Sequence, residues 1–237
     1  MEKVNIPKYS LSEELISSIS HGIGALLGIA ALVLSVVFSH KPISIVSSAI
    51  YGCSLIILYT ISCLYHSFSP RVGAKKVFRI LDHDSIYVLI FGTYMPYLLV
   101  ALGGAKGWTL WGILLGLTII GIVLNSINLE KFKNISLISY ILMGWIIVFS
   151  FKDINIALGY RGTLYLLIGG ILYTVGAIFY SIGKKVKYMH SLFHLFVLAG
   201  SIFHFFSIFL YVIRWENEFN TILDCKNIWY TNILYIV

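Results

Sequence analysis

Long apolar runs, separated by short polar and basic stretches, dominate the 237-residue chain. A helix needs about 20 predominantly apolar residues to cross the hydrocarbon core of a bilayer. The pattern predicts seven such helices, and hence an all-α, polytopic membrane protein built as a seven-transmembrane-helix bundle. The predicted runs are Ile16–Ser39, Ile43–Tyr65, Ile80–Ala101, Trp108–Asn128, Ile135–Phe151, Gly162–Ile182 and His190–Ile213.

Two polar stretches flank the predicted membrane domain, which takes up residues 13–213. Residues 1–12 are mostly polar and include Pro7, so they are predicted to form a short N-terminal tail. Residues 214–237 mix acidic, amide and aromatic side chains, and they are too short and too polar for another crossing. We expect this C-terminal tail to lie on the membrane surface, and the sequence suggests no role for it.

The composition also favours a membrane location. Hydrophobic residues make up 59% of the chain and charged residues 11%, whereas a soluble domain carries about 25% charged residues. The net charge is +7, but the basic residues are scattered, and nucleic-acid binding requires a contiguous basic face. We therefore expect a multi-pass protein of the cell membrane that contacts membrane lipids and no nucleic acid. Assembly into a homo-oligomer stays open.

Lysine and arginine are distributed unevenly between the two predicted sides of the membrane. The N-terminal tail and the loops after the second, fourth and sixth runs hold 11 of them, against 6 on the other side. Basic residues in short loops favour the cytoplasmic side. The sequence thus predicts a cytoplasmic N-terminus and, after seven crossings, a C-terminus outside.

The polar side chains that interrupt the apolar runs fall at one end of the predicted bundle. Odd-numbered helices start, and even-numbered helices end, on the same side of the membrane, here the cytoplasmic one. Ionisable groups inside a bilayer cost about 2.5 kcal/mol or more near its centre, and grouping them around a cation would offset that cost. The layer consists of Glu14, Ser17 and His21 in the first helix, Ser62 and His66 in the second, Asp82 in the third, and His190 and His194 in the seventh.

Three histidines of this layer are candidate metal ligands. His190 and His194 are four residues apart, so both imidazoles project from one face of a helix. His66 is expected at the same depth. Three protein ligands plus a water is the pattern of a catalytic zinc site, so we predict zinc bound by His66, His190 and His194. Another metal that accepts imidazole ligands stays open.

Two further residues are assigned catalytic roles in this hypothesis. Asp82 would accept a hydrogen bond from the water and act as general base. Ser62 lies one turn from His66 and could donate to a developing oxyanion. The remaining polar side chains, Glu14, Ser17 and His21, would hold the ligands or the helix packing.

Structural interpretations compete with each of these assignments. A single histidine at a membrane interface is more often a packing or headgroup residue than a ligand. His204 lies ten residues beyond His194, roughly 15 Å deeper at 1.5 Å per residue, and is predicted to be a buried hydrogen-bonding residue. Residues Gly92–Pro96 are expected to distort the third helix, because proline removes a helical hydrogen bond.

Several short motifs, in this order along the chain, resemble the hemolysin III family, the bacterial branch of the progestin and adipoQ receptors, which include the adiponectin receptors. The resemblance covers about residues 13–213. Any one of the motifs alone would be weak. They are Glu13-Glu14-x-x-Ser17-x-x-x-His21-Gly22, Ser62-x-x-Tyr65-His66, Leu81-Asp82-His83-x-x-Ile86, Gly92-Thr93-Tyr94-x-Pro96 and His190-x-x-x-His194.

The resemblance implies a seven-helix bundle with an inside N-terminus and a zinc ion near the cytoplasmic face. It places the zinc histidines on His66, His190 and His194, the water-contacting aspartate on Asp82 and the associated serine on Ser62. Ser17 departs from the family, which often has asparagine there, but it keeps a hydrogen-bonding group. The tail after Arg214 departs as well.

Three functions are compatible with this resemblance. The wider superfamily is similar to alkaline ceramidases, which favours a zinc-dependent hydrolase of lipid amide or ester bonds. The founding bacterial members are named for lysing red cells, which favours an oligomeric pore-forming cytolysin. A receptor or sensor without turnover would use the same zinc to clamp helices together. We favour hydrolysis, since a structural zinc is normally closed by a fourth protein ligand.

Overall fold

The computed structural model of the protein describes residues 4–183 and 185–213, and all regular structure within them is helical. The predicted C-terminal tail, 214–237, lies outside the described residues. The α-helices are α1 (Leu11–Val37), α2 (Pro42–Ser67), α3 (Ala74–Met95), α4 (Gly104–Gly144), α5 (Phe151–Ile182) and α6 (Met189–Ile208). π-Helical turns, Pro96–Leu102 and Phe209–Ile213, extend α3 and α6, and a 3-10 segment, Ile146–Ser150, precedes α5.

Five stretches of the described chain are long and apolar enough to span a membrane. This confirms an all-helical, multi-pass membrane protein, although the number differs from the seven predicted runs. The difference arises because the fourth, fifth and sixth runs all fall within one candidate span, Gly104–Ile182, of 79 residues. As a straight helix this span would be about 120 Å long, several times the roughly 30 Å hydrocarbon core. It is therefore not a single straight crossing.

Helix α4 is interrupted at Asn128, where φ is −161° and ψ is 89°. The Asn128 Oδ1 atom accepts a hydrogen bond from the Lys131 backbone N–H at 3.1 Å, as the N-cap of a new helix does. The Ser136 hydroxyl donates to Asn125 Oδ1 at 2.6 Å, although residues this far apart on one straight helix would be about 16 Å apart. The two parts of α4 consequently lie side by side.

A second interruption lies in α5 at Gly159, where φ is 66° and ψ is 175°. A positive φ of this kind favours glycine because a Cβ atom would be strained there. Asp153, which precedes Gly159, forms an ion pair with Lys106 at 2.6 Å. This part of the chain therefore lies beside the start of α4. The contact places these residues at the end of the bundle away from the histidines.

Helix α1 starts at Leu11, earlier than the predicted run at Ile16, because a capping box precedes it. Ser10 Oγ accepts from the Glu13 backbone N–H, and the Glu13 carboxylate accepts from the Ser10 backbone N–H at 2.9 Å. Glu13 also accepts a 2.7 Å hydrogen bond from the Tyr188 backbone N–H. The first turn of α1 is thereby attached to the start of α6.

The predicted distortion of the third helix is present at Pro96, where α3 passes into a π-helical turn. Proline lacks the N–H that an α-helix requires, so a change of helical type is expected there.

Hydroxyl groups join three helices further into the bundle than the histidine layer. The Tyr59 hydroxyl donates to Ser201 Oγ at 2.6 Å, and the Tyr173 hydroxyl lies 2.8 Å from the same atom. These contacts join α2, α5 and α6 below the histidine layer.

Candidate metal centre

The three predicted ligands lie together and are buried. His66 belongs to the last turn of α2, and His190 and His194 occupy the first two turns of α6. Their exposed fractions are 3%, 6% and 1%. One potential ligand atom from each lies within 4.8 Å of the other two. A buried histidine group that could hold a metal ion is therefore present.

The Nε2 atoms of the three rings converge. His66 Nε2 lies 3.4 Å from His190 Nε2, which lies 3.0 Å from His194 Nε2. Tetrahedral zinc with Zn–N bonds of about 2.0–2.1 Å separates its nitrogen ligands by about 3.3 Å. The spacing thus fits a single ion of this size and coordination.

A carboxylate lies behind the first ligand. His66 Nδ1 is 2.6 Å from Glu14 Oε2, and the other carboxylate oxygen of Glu14 accepts a 2.6 Å hydrogen bond from Lys75 Nζ. With its proton on Nδ1, His66 presents the lone pair of Nε2 to the cluster. Carboxylate–histidine pairs of this kind orient metal ligands and raise their basicity.

A histidine lies behind the third ligand. His194 Nδ1 is 2.9 Å from His21 Nε2. When His194 offers Nε2 to a metal, its Nδ1 carries the proton, and the His21 ring is placed to accept it. Ser17 takes a different position, because its hydroxyl donates to Ser191 Oγ at 3.4 Å and joins α1 to α6 beside the ligands.

The donor set favours a cation on chemical grounds. Neutral imidazoles protonated on Nδ1 would direct three lone pairs at one another across about 3 Å, which is repulsive in a buried site. A divalent ion would turn the same arrangement into three favourable bonds. The described residues thus fit a bound metal better than three independent packing histidines.

Asp82 and Ser62 lie on a cavity that reaches this cluster. The cavity has a volume of about 140 Å³, and His194 also lines it. The Asp82 carboxyl interacts electrostatically with His66, and Ser62 lies beside it. The buried Ser62 hydroxyl completes no hydrogen bond of normal geometry to a described residue. A hydroxyl and a carboxyl therefore lie beside the ligands without belonging to the ligand set.

Away from Asp82 and Ser62 the cavity is mainly apolar and runs between α2, α3, α4, α5 and α6. His204 lines its far part, stacked on Tyr173 with ring centroids 5.1 Å apart. The Nδ1 atom of His204 is buried and has no hydrogen-bond partner among the described residues. His83 also lines the cavity. The apolar lining includes Leu58, Leu89, Ile147, Leu166 and Val197.

Two basic residues near the site were assigned by the sequence to a cytoplasmic loop. Lys75 is only 1% exposed and also donates to the Phe68 carbonyl at 2.8 Å. Arg79 forms an ion pair with Glu130. Both lie on α3 and are spaced four residues apart, so they share a face of the helix. Asp82 lies on the same helix face, three residues further on. This spacing is the sequence signal that could have placed Lys75 and Arg79 beside the site.

Aromatic rings surround the ligands on the remaining sides. Tyr65 lies edge-on to His66 with centroids 4.6 Å apart, and Tyr9 stacks on His190 at 4.5 Å with 12° between the planes. The ring centroid of Tyr180 lies 6.0 Å from that of His190. Sequence reasoning missed these rings, because tyrosines are common in the chain and residue 9 lies in the predicted tail.

Known proteins are similar to this chain over most of its length. Residues 9–205 match the family model described as "Haemolysin-III related". The chain is 42% identical to "Hemolysin-3" of Bacillus cereus over 216 residues, covering 90% of this chain and 97% of the relative. It is 41% identical to the "Hemolysin-3 homolog" of Bacillus subtilis (strain 168) over 209 residues, covering 87% and 97%. It is also 26% identical to the human "Monocyte to macrophage differentiation factor" over 185 residues, covering 73% and 74%.

Proposed function

Because the chain belongs to the haemolysin-III-related family, we propose that it is a membrane-embedded, zinc-dependent hydrolase of lipid amide or ester bonds. The observation that carries this proposal is the position of Asp82 and Ser62. Both line the cavity that reaches His194, while Glu14 and His21 contact the outer nitrogens of the ligands. A three-histidine set with a carboxyl and a hydroxyl beside it is typical of catalytic rather than structural zinc.

The chain's own residues supply the remaining chemistry. Zinc bound here would polarise a substrate carbonyl and make a water molecule more acidic. Asp82 would take the proton from the attacking water and return it to the leaving nitrogen or oxygen as the carbonyl–heteroatom bond breaks. Ser62 would donate a hydrogen bond to the carbonyl oxygen as negative charge develops on it. The products are a carboxylic acid and an amine or alcohol.

The cavity favours a lipid substrate. Its polar end holds Asp82 and Ser62, and its lining beyond them is mostly aliphatic and aromatic. An acyl chain would fill the apolar part while the amide or ester lies at the polar end. We therefore propose membrane lipids as the substrates, with His204 in contact with the apolar chain rather than with the metal.

We also propose seven membrane crossings with the N-terminus in the cytoplasm and the C-terminus outside. The breaks at Asn128 and Gly159 support this, because they divide Gly104–Ile182 into three parts of suitable length. The 11-to-6 distribution of basic residues supports the orientation. The histidine layer would then lie in the cytoplasmic leaflet.

Cytolysis is the second candidate, because the two relatives at 41–42% identity are named for haemolysis. A pore within one subunit would require a polar stripe through the bilayer, whereas the buried ionisable side chains of the described chain, apart from His204, lie toward the end that holds the histidine cluster. A pore between the subunits of a homo-oligomer would not require that stripe. A zinc-clamped receptor or sensor is the third candidate, and only the three-histidine set supports it.

Release of fatty acid from ceramide-like lipids tests the proposal. Purified, zinc-loaded protein should release fatty acid, and Asp82→Asn should lower the rate about 10²- to 10⁴-fold, the usual contribution of a general base. Asp153→Asn, which removes a carboxylate at the opposite end, should keep the rate. If zinc-loaded protein releases none while it conducts ions in liposomes, and His66→Ala conducts equally, the pore is the better account.

A further inference from the structure

Residues 4–10 have no regular secondary structure and cross the end of the bundle that holds the histidine cluster. At one end of this segment, which we call the N-terminal strap, Ser10 caps α1 and its hydroxyl donates to Glu13 at 2.6 Å. At the other, the Asn5 backbone N–H donates to Glu130 Oε1 at 3.3 Å. Glu130 is itself held by Arg79 and Lys133. The strap is thus fastened at both ends to different helices.

Tyr9 lies between these attachments and covers a metal-ligand candidate. Its ring stacks on His190 with centroids 4.5 Å apart and 12° between the planes, and it lies 6.0 Å from His66. Outside the histidine cluster, the other aromatic rings beside His190 are those of Tyr180 and Phe193, which are tilted, with centroids 6.0 and 5.8 Å away. Tyr9 therefore makes the closest face-to-face contact that the described residues make with this imidazole.

The strap and the cavity contact different parts of the cluster. Tyr9 contacts His190 and His66, whereas the cavity is lined by His194 together with Asp82 and Ser62. We propose that Tyr9 is a positioning residue that closes the aqueous side of the histidine cluster and fixes the plane of the His190 ring. The reacting molecule consequently reaches the site through the apolar cavity, from within the membrane. This consequence rests on the proposed metal centre, whereas the closure itself does not.

Histidine footprinting of the full-length, metal-free protein tests the closure directly. Diethyl pyrocarbonate modifies accessible imidazoles, and the rate at each histidine is measured by mass spectrometry. In Tyr9→Ala the rates at His66 and His190 should rise about 2- to 12-fold, the factor that corresponds to the loss of one aromatic stack. Tyr9→Phe keeps the stack and should match the unmodified protein.

Two controls make the result specific. Tyr160→Ala removes an exposed tyrosine that directly follows the Gly159 break in α5, at the end of the bundle away from the histidines, and should leave both rates unchanged. The exposed His40 is an internal reference whose rate should be equal in all variants. Unchanged rates at His66 and His190 in Tyr9→Ala would overturn the proposal.

Release of zinc to excess chelator separates closure from metal binding. If zinc is bound, Tyr9→Ala should release it faster and Tyr9→Phe at the unmodified rate. If no variant binds zinc but Tyr9→Ala still exposes the histidines, the metal centre is wrong and the role of Tyr9 as a cover stands. Equal zinc release in Tyr9→Ala and in the unmodified protein would contradict closure of the aqueous side.

Discussion

The Nδ1 atom of His66 lies 2.6 Å from the Oε2 atom of Glu14, although the two residues are 52 positions apart. This pair fixes the proton on Nδ1 and leaves Nε2 for the cluster. Lys75 holds the other oxygen of the same carboxylate at 2.6 Å. Glu14, in the first turn of α1, therefore orients the ring of His66, the candidate metal ligand in α2.

Replacing Glu14 should weaken metal binding without removing a ligand. In Glu14→Gln the amide accepts a weaker hydrogen bond from His66 and leaves Lys75 without its carboxylate, so zinc affinity should fall about 10- to 100-fold. Competition with a chelator measures the change. Asp153→Asn is the matched control, because Asp153 forms its own 2.6 Å pair with Lys106 away from the site. Equal affinity in both variants would contradict the orienting role.

Removing ligands should abolish binding outright. The variant His190→Ala/His194→Ala leaves one imidazole of the three, and elemental analysis should find its zinc content at background, against one ion per chain in the unmodified protein. His204→Ala removes another buried histidine of α6 and should retain the ion. Zinc in the double variant at the level of the unmodified protein would rule out this ligand set.

Zinc occupancy should fall as the pH is lowered. Each ligand must be deprotonated at the metal-binding nitrogen, so protons compete with zinc at three imidazoles. Where the free imidazoles take up protons, the logarithm of the binding constant should therefore rise with pH, with a slope of up to about 3. Titration with a fluorescent chelator measures it. A binding constant that shows no dependence on pH down to the pH at which the protein unfolds would exclude imidazole ligands.

The packing of α3 against α4 can be tested at Gly121, a glycine remote from the candidate metal centre. A Cβ atom on Gly121 would collide with the ring of Tyr87, which is 2% exposed and cannot withdraw. Gly121→Ala should therefore cost about 1–3 kcal/mol. Gly116 has no neighbour within 4 Å of such an atom, so Gly116→Ala should be neutral or slightly stabilising. Thermal unfolding in detergent compares them, and equal midpoints would show that α3 and α4 pack differently.

The fold-back of Gly104–Ile182 predicts a specific labelling pattern. In a chain whose native cysteines are replaced by serine, Lys131→Cys should react with a membrane-impermeant maleimide only from the cytoplasmic side. Tyr160→Cys should react only from outside, since one crossing separates the two positions. Labelling of both from the same side would contradict the seven-crossing topology.

Much of this arrangement follows from the sequence because membrane helices are strongly constrained. Apolar runs had to become helices, since hydrocarbon offers no partner for backbone polar groups. The i, i+4 spacing of His190 and His194 placed both on one helix face, and helix direction brought the end of α2 to the start of α6. These predictions require only the helical periodicity of the sequence and the alternating direction of successive membrane helices.

The rest depends on tertiary contacts that periodicity does not encode. Lys75 was counted as a loop charge, and its burial against Glu14 depends on how closely α1 approaches α3. Tyr9 was placed in a tail because nothing in residues 1–12 predicts a stack on a ring 181 positions away. The break at Asn128, by contrast, coincides with the predicted end of the fourth run, where Glu130, Lys131 and Lys133 follow in the sequence.

His66 and His190 are 124 positions apart in the sequence, and this separation also orders events during biosynthesis. At about 5–20 residues per second, roughly 6–25 s of translation separate the two imidazoles. Until α6 is made, His66 can pair with Glu14 but has no second imidazole beside it. An ion held by all three imidazoles would therefore be acquired late in membrane insertion, after α6 enters the bilayer.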